Sequence, residues 1–560
     1  MLTTAHLSCN ILADLLIAHG VRHTVISPGS RNTPLILALS RREEMKCHVV
    51  IDERSAAFIA LGMGIQSGEP VALVCTSGTA LLNYAPAVAE AFYRQVPLIV
   101  ISADRPEEWI DQDDSQTLWQ QDALSPYVKR SCDISARIDF PNGPWWTDRM
   151  INDTLLEATN GRHAPVHINV RLDAPLNVQT DYQTGSARVI EIVSPKASLP
   201  VSEIRAMAMP LASPRCVLIV AGFHAPDEKL NRALIKLASL PNIVVMTESI
   251  SNLHSREFIS RIDSTLCRLT EYERERLRPD IVITLGGAIV SRPIKEWLRS
   301  LPNLEHWHVG ISHTTIDCFK HLTKRVDMDE TLFMTQLAAA MQPHRAECGY
   351  SKEWDDVAYR AVGAHESYVI NAPWSDLKAF SIIFADMPRR YNLHLSNGTA
   401  IRYAQLMDCD MVHRSECNRG VSGIDGCTST ALGASVLYKG VTLLISGDMS
   451  FQYDISALSS RLMSPKFKMI VMCNGGGGIF RFIGATSSLP ETEKYFAVGT
   501  NLPLRELCKG YDIEYFEAYD EKSLSMSLAK FYGENERPVL LAVHTPAEIS
   551  ADVLKGYFKE

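Results

Sequence analysis

Two polar residues follow apolar runs in the last third of the chain. Asp448, in Gly447-Asp448-Met449-Ser450, stands just after residues 441–445, and Asn474, which opens Asn474-Gly475-Gly476-Gly477-Gly478, stands just after residues 469–472. They lie 26 residues apart, about one strand–helix–strand unit. Both side chains are therefore expected at one edge of a parallel sheet, where open α/β folds place their ligands. A carboxylate, an amide oxygen and a glycine-lined backbone suit a hard cation such as Mg²⁺, which keeps its bond to a phosphate. The Gly476 carbonyl is the expected third ligand. A helix N-cap for Asp448 and a turn role for Asn474 are the local alternatives. The four glycines favour the ligand site, because they remove side chains and let backbone approach a bound group.

A third candidate is Glu53, in Val50-Ile51-Asp52-Glu53-Arg54. It follows apolar residues and precedes a helix of small residues, so its carboxylate can be largely buried. A buried Glu is rare without a partner. The local alternative is a charge favoured by the helix dipole.

These residues need a scaffold of strands and helices in alternation. Residues 1–176 alternate helices with short apolar strands at 24–27, 71–75, 98–102 and 166–170, which predicts a parallel sheet covered on both faces. A polar stretch, 177–186, reads as a linker. Strands at 217–220, 243–246 and 281–285 predict a second α/β segment. A polar stretch at 341–356, broken by Pro343 and Gly349, marks a second boundary. The first and last thirds look like copies of one unit: each runs from a small-residue helix through a Gly-containing loop to a further strand, and each closes on a Pro-led strand, at 165–170 and 538–543. The expected fold class is α/β, with three doubly wound parallel-sheet domains at 1–180, 187–345 and 355–560.

Composition narrows the function. Hydrophobic residues make up 46% and charged residues 21% of the 560, as in ordinary globular proteins. The net charge of −9 disfavours nucleic acid as a partner. No apolar run approaches the ~20 residues of a membrane span, and the N-terminus has no basic region followed by an apolar one. The 13 cysteines are odd in number and lack CxxC pairs, against a zinc site or a disulfide framework. A cytoplasmic protein is expected.

Glu53, Gly447-Asp448 and Asn474 resemble the signature of thiamine-diphosphate enzymes. The resemblance narrows with Ser27-Pro28-Gly29-Ser30-Arg31-Asn32-Thr33-Pro34, Asp52-Glu53-Arg54, Thr76-Ser77-Gly78-Thr79-Ala80, Ala103-Asp104-Arg105-Pro106, Asn418-Arg419-Gly420 and Ser422-Gly423-Ile424-Asp425-Gly426. In order across both outer thirds, these are similar to segments of the 2-succinyl-5-enolpyruvyl-6-hydroxy-3-cyclohexene-1-carboxylate (SEPHCHC) synthases of menaquinone biosynthesis. The match is weak in the middle third.

The resemblance implies thiamine diphosphate bound through Mg²⁺ (or Mn²⁺), with Asp448, Asn474 and the Gly476 carbonyl on the metal and Gly447 and Ser450 beside the cofactor. The outer thirds would be the pyrimidine-binding and diphosphate-binding domains. It gives Glu53 the hydrogen bond to the aminopyrimidine, whose imino nitrogen then takes the proton from thiazolium C2. Ile424 would enforce the bent cofactor, and Ile479 and Phe480 would pack beside it. The substrates would be 2-oxoglutarate and isochorismate, with release of CO₂. Both are dicarboxylates, and arginine binds carboxylate bidentately. Arg402 and Arg419 would hold the succinyl end, and Ser30, Arg31, Arg105 and Gln116 would hold isochorismate. Arg292, in Ser291-Arg292-Pro293, would replace a Lys-Arg pair of some relatives. Other departures are Met449, Cys473 and Gly398, where the family pattern has Gly, Asn and Ser.

The resemblance also implies a homo-oligomer, dimer or tetramer, since the family holds the cofactor between subunits. The competing readings are another thiamine-diphosphate 2-oxo-acid decarboxylase or carboligase, such as an acetolactate synthase, and a non-catalytic ligand-sensing relative.

Overall fold

The structure, a computed structural model, describes residues 1–559 apart from 196, 213 and 342–347. The chain forms two compact units. One comprises Met1–Ser194, Gly420–Thr442 and Tyr453–Ser464, and the other Pro195–Arg419, Leu443–Gln452 and Pro465–Glu560. The expected break at Pro343 lies outside the described residues.

The first unit is built on six strands: β1 (His23–Ile26), β2 (Lys46–Val49), β3 (Val71–Cys75), β4 (Leu98–Asp104), β5 (Ser131–Ile134) and β6 (Val166–Arg171). Their order is β2-β1-β3-β4-β6-β5, and all neighbours are parallel. Every residue of β3 and β4 is buried. A parallel sheet is covered on both faces, so these strands read as unbroken apolar runs rather than alternating ones. Helix α1 (Glu53–Ser67) follows β2; Asp52 caps it, accepting from Arg54 N and Ser55 N. Residues 55–65 of α1 are buried, much of that surface against the helix Cys427–Leu437.

The second unit holds two sheets. Strands β7 (Val217–Ala221), β8 (Ile243–Thr247), β9 (Ile281–Leu285), β10 (Glu305–Val309) and β11 (Leu322–Val326) form a parallel sheet in the order β8-β7-β9-β10-β11. Its faces supply two separate cores: Val217, Ile219 and Ala221 of β7 join one, Leu218 and Val220 the other. That is the alternation a strand imposes when helices cover both sides. Helix α2 (Arg292–Ser300) follows β9, with Ser291 as N-cap and Pro293 in its first turn.

The other sheet contains β12 (Asn392–Leu395), β13 (Arg414–Cys417), β14 (Thr442–Gly447), β15 (Phe467–Cys473), β16 (Glu514–Ala518) and β17 (Val539–His544), in the order β13-β12-β14-β15-β17-β16. This order coincides, strand for strand, with that of the first unit's sheet, so the outer thirds share one topology. Helices α3 (Asp376–Ala385), α4 (Thr399–Ala404), α5 (Asp448–Tyr453) and α6 (Gly478–Phe482) flank it. No described helix is long and apolar enough to cross a membrane.

The stretch 177–186, expected to be a plain linker, contains a strand. Gln179–Asp181 pairs antiparallel with Leu2–Thr4. All three residues of the later strand are exposed, so it has no apolar pattern to reveal it.

Candidate active site

In the second unit the predicted ligands gather where β14 and β15 end. Asp448 is 3% and Asn474 5% exposed. Asp448 Oδ1 accepts from Met449 N at 2.8 Å, while Oδ2 accepts from Gly476 N at 2.9 Å and Thr500 Oγ1 at 2.8 Å. Gly475 and Gly476 have φ of 79° and 77°. A Cβ on Gly476 would stand 2.4 Å from Val498 O, so only glycine allows this loop to fold so tightly beside Asp448. The Gly476 carbonyl accepts from Arg481 Nη1 at 2.9 Å. Arg481 is held in turn by Glu493, through Nε and Nη2 at 2.8 Å each. Asn474 Nδ2 donates to Asp376 Oδ2 at 2.8 Å. Gly447 N donates to Ser396 Oγ at 3.2 Å, and Ser450 is buried in the first turn of α5. On α6, Ile479 and Phe480 are half-buried, the Phe480 ring 5.8 Å from that of Phe496.

The same unit brings Arg402 and Arg419 together. Burial, and then the charge of Arg419, lowers the pKa of Arg402. Arg419 Nη1 donates to Asn397 Oδ1 at 3.0 Å, and Asn397 Nδ2 donates to Asn418 O at 2.6 Å. Gly398 has φ 100°, so this kink before α4 suits glycine. Neither arginine has a carboxylate partner at salt-bridge distance among the described residues. Arg402 lines a cavity of about 420 Å³ with Arg292, Arg274, Asp263 and Glu296. Arg292 itself is exposed, with Nε on Glu296 at 2.6 Å.

In the first unit, the ends of β1 to β4 present the remaining candidates. Glu53 is half-buried at the first turn of α1. The Ser27–Arg31 turn lies against the loop after β3: a Cβ on Gly29 would meet Thr76 Cβ at 2.3 Å. Arg31 Nη1 donates to Leu172 O at 2.9 Å, and burial, then the nearby Arg105 charge, lowers its pKa. Arg105 pairs with Asp114 at 2.5 Å and donates to Ser115 O. Ser30 and Gln116 are exposed; Gln116 adopts φ 53°, its backbone close to Gly78. Ile424 is half-buried in the loop before Cys427–Leu437.

Residues 9–124 match a family model described as the thiamine pyrophosphate enzyme, N-terminal TPP binding domain. Across 558 residues the chain is 41% identical to the SEPHCHC synthase of Porphyromonas gingivalis, covering 98% of this chain and 96% of that one. The chain belongs to the SEPHCHC synthase family. It is also 37% identical to the synthase of Flavobacterium johnsoniae over 555 residues, 98% of each chain, and 32% identical to that of Bacteroides fragilis over 558, again 98% of each. Like other SEPHCHC synthases, it is a thiamine-diphosphate-dependent transferase.

Where this chain departs from the family pattern, the departures are local. Met449 contributes its backbone N–H to Asp448, which any residue but proline can do. Burial pushes the Cys473 thiol up to about 12, so it stays protonated and uncharged beside Asp448. Sequence reasoning missed several residues of the site. Arg481 and Asp376 touch the glycine loop and Asn474. Asn397 holds Arg419. Buried Glu248 accepts from Val290 N and Ser291 N at 2.7 and 2.6 Å, fixing the turn that leads to Arg292. Glu90, 1% exposed, accepts from Gly420 N and Val421 N, both at 2.7 Å, at the start of the loop bearing Ile424. Only Asn397, next to Gly398 where the chain departs from the family pattern, lay where the sequence offered a signal.

Proposed function

We propose that this synthase decarboxylates 2-oxoglutarate on thiamine diphosphate and adds the succinyl semialdehyde unit to isochorismate, giving SEPHCHC for menaquinone biosynthesis. The observation that carries this reading is the Arg402–Arg419 pair. Two half-buried like charges side by side, with Asp263 and Glu248 acting on them only from beyond salt-bridge distance, repel one another unless an anion completes them. A dicarboxylate such as 2-oxoglutarate is such an anion, and Asn397 holds one of the two guanidiniums in place.

The residues present fit the cofactor and its metal. Asp448, Asn474 and the Gly476 carbonyl are an oxygen-only donor set, as Mg²⁺ prefers; Mn²⁺ takes the same set. Gly475 and Gly476, at φ of 79° and 77°, keep this loop against Asp448, where its backbone would meet the diphosphate. Gly447 and Ser450 border it, and Ile424, Ile479 and Phe480 supply apolar contacts. When bound, the cofactor provides an electron sink for decarboxylation and a carbon nucleophile for the addition.

The chain's own residues bind, orient and move one proton. Glu53 holds the aminopyrimidine by a hydrogen bond that raises its basicity. Arg402 and Arg419 bind 2-oxoglutarate, and Arg292 adds a cation at the cavity mouth. Ser30, Arg31, Arg105 and Gln116 orient isochorismate. The rate gain comes mainly from positioning and from carboxylate electrostatics.

In this reading residues 1–180 bind the pyrimidine, 355–560 bind the diphosphate and 187–345 form the central domain. Glu53 and Asp448 come from different subunits of a cytoplasmic dimer or tetramer. The test is incubation with Mg²⁺, thiamine diphosphate and 2-oxoglutarate, with and without isochorismate. CO₂ release coupled to isochorismate supports the proposal. Release indifferent to isochorismate favours a simple decarboxylase, and absence of cofactor binding refutes both.

A further inference from the structure

We propose that Asp376 is a positioning residue for the metal: it fixes the Asn474 amide so that Oδ1, rather than Nδ2, is free to ligate. The inference rests on the metal site proposed above.

Asp376 starts α3 and is 2% exposed. Both its oxygens are engaged. Oδ2 accepts from Asn474 Nδ2 at 2.8 Å and Oδ1 from Thr545 Oγ1 at 2.5 Å. Its own N–H donates to Ser550 Oγ at 3.0 Å, and Thr545 N donates to Cys473 O at 3.2 Å. The carboxylate is thus tied both to the end of β15 and to the segment after β17.

The amide of Asn474 has one donor end and one acceptor end. Both Asp376 oxygens act as acceptors in these bonds, so the carboxylate offers Asn474 no donor. Rotating the amide would set Oδ1 against Asp376 Oδ2 at hydrogen-bond distance, two buried acceptors with no proton between them, and would strand Nδ2. One orientation therefore prevails. In it Oδ1 accepts no hydrogen bond among the described residues. A free amide would present nitrogen to a cation about as readily as oxygen, and nitrogen of an amide does not bind Mg²⁺ or Mn²⁺. Groups that orient metal ligands in this way commonly change affinity by about 10- to 100-fold.

The test is Mn²⁺ binding, read by electron paramagnetic resonance with thiamine diphosphate present and no substrate. Asn474→Ala serves as the control for the site itself. If it leaves Mn²⁺ affinity unchanged, the metal assignment fails and Asp376 loses its role with it. If Asn474→Ala abolishes binding, the site stands and Asp376 is tested independently. Asp376→Ala should then weaken Mn²⁺ about 10- to 100-fold. Asp376→Asn should keep affinity within a few-fold, because its amide oxygen can still accept from Asn474 while Thr545 turns to accept. Unchanged affinity in Asp376→Ala overturns the proposal. An equally large loss in Asp376→Asn also overturns it, since Asp376 would then act by its charge or as a ligand itself. Should Asp376→Ala fail to fold, the near-isosteric Asp376→Leu carries the same expectation.

Discussion

Arg481 donates to the Gly476 carbonyl at 2.9 Å while the same guanidinium reaches Asn474 O at 3.4 Å and Gly475 O at 3.3 Å. Three successive carbonyls of the glycine loop thus converge on one cation. Four consecutive glycines are costly to order, because glycine loses the most backbone freedom on folding. Arg481 offsets part of that cost. Arg481→Met should destabilise the protein by about 1.5–3 kcal/mol, the range for hydrogen bonds from a charged donor. Urea unfolding with an unchanged m-value measures it. Glu493→Gln should cost far less: its side chain is 67% exposed, and exposed pairs contribute little.

Glu53 sits at the first turn of α1 with its side chain half-buried. Glu53→Gln keeps the shape and removes the carboxylate. Exchange of the cofactor's C2 proton for deuterium, followed by nuclear magnetic resonance, should slow by about 10²- to 10⁴-fold. The melting temperature should barely move, since the lost helix-dipole interaction amounts to about 0.3–1 kcal/mol. Unchanged exchange removes Glu53 from the proton transfer.

The parts of this protein legible in sequence are those written locally. Asp448 and Asn474 each follow an apolar run, so the strand that delivers them and the loop that presents them lie in adjacent residues. The likeness of the outer thirds was also visible, as repeated strand–loop–helix spacing, although their strand order was not. Residues that act across the fold were not visible. Asp376 lies 98 positions from Asn474, and Glu248 lies 42 and 43 from the backbone groups it binds. Nothing near either one marks it as paired. The Gln179–Asp181 strand was hidden for a related reason: its partner is the chain's first residues, and its exposed side chains leave no apolar stripe.

The two arginine sets predict separable kinetics. Arg402 and Arg419 meet in the second unit, whereas Arg31 and Arg105 meet in the first. Arg402→Ala or Arg419→Ala should lower kcat/KM for 2-oxoglutarate by about 30- to 1,000-fold, equivalent to about 2–4 kcal/mol, and leave the KM for isochorismate near its original value. Arg31→Ala and Arg105→Ala should show the reverse selectivity. Steady-state assays varying one substrate at a time decide this. Equal losses for both substrates in all four variants would break the assignment of one carboxylate set to each pair.

Glu248 gives stability a pH dependence of its own. Burial raises its pKa from 4.5 to about 7, against the opposing pull of the Val290 and Ser291 N–H groups. Between pH 4.5 and about 7 the folded protein keeps a proton that the unfolded chain has released. Folding stability contributed by Glu248 is therefore fully present below pH 4.5 and is lost as pH rises to about 7, after which it stays level. The size is on the order of 3 kcal/mol. Glu248→Gln cannot release a proton, so the difference between wild type and variant should change over that window and be flat above it. Urea titrations of both proteins from pH 4.5 to 8.5 (about four steps) measure it. A difference that does not vary with pH would mean that Glu248 is ionised throughout, with Arg419 or Lys295 compensating its charge.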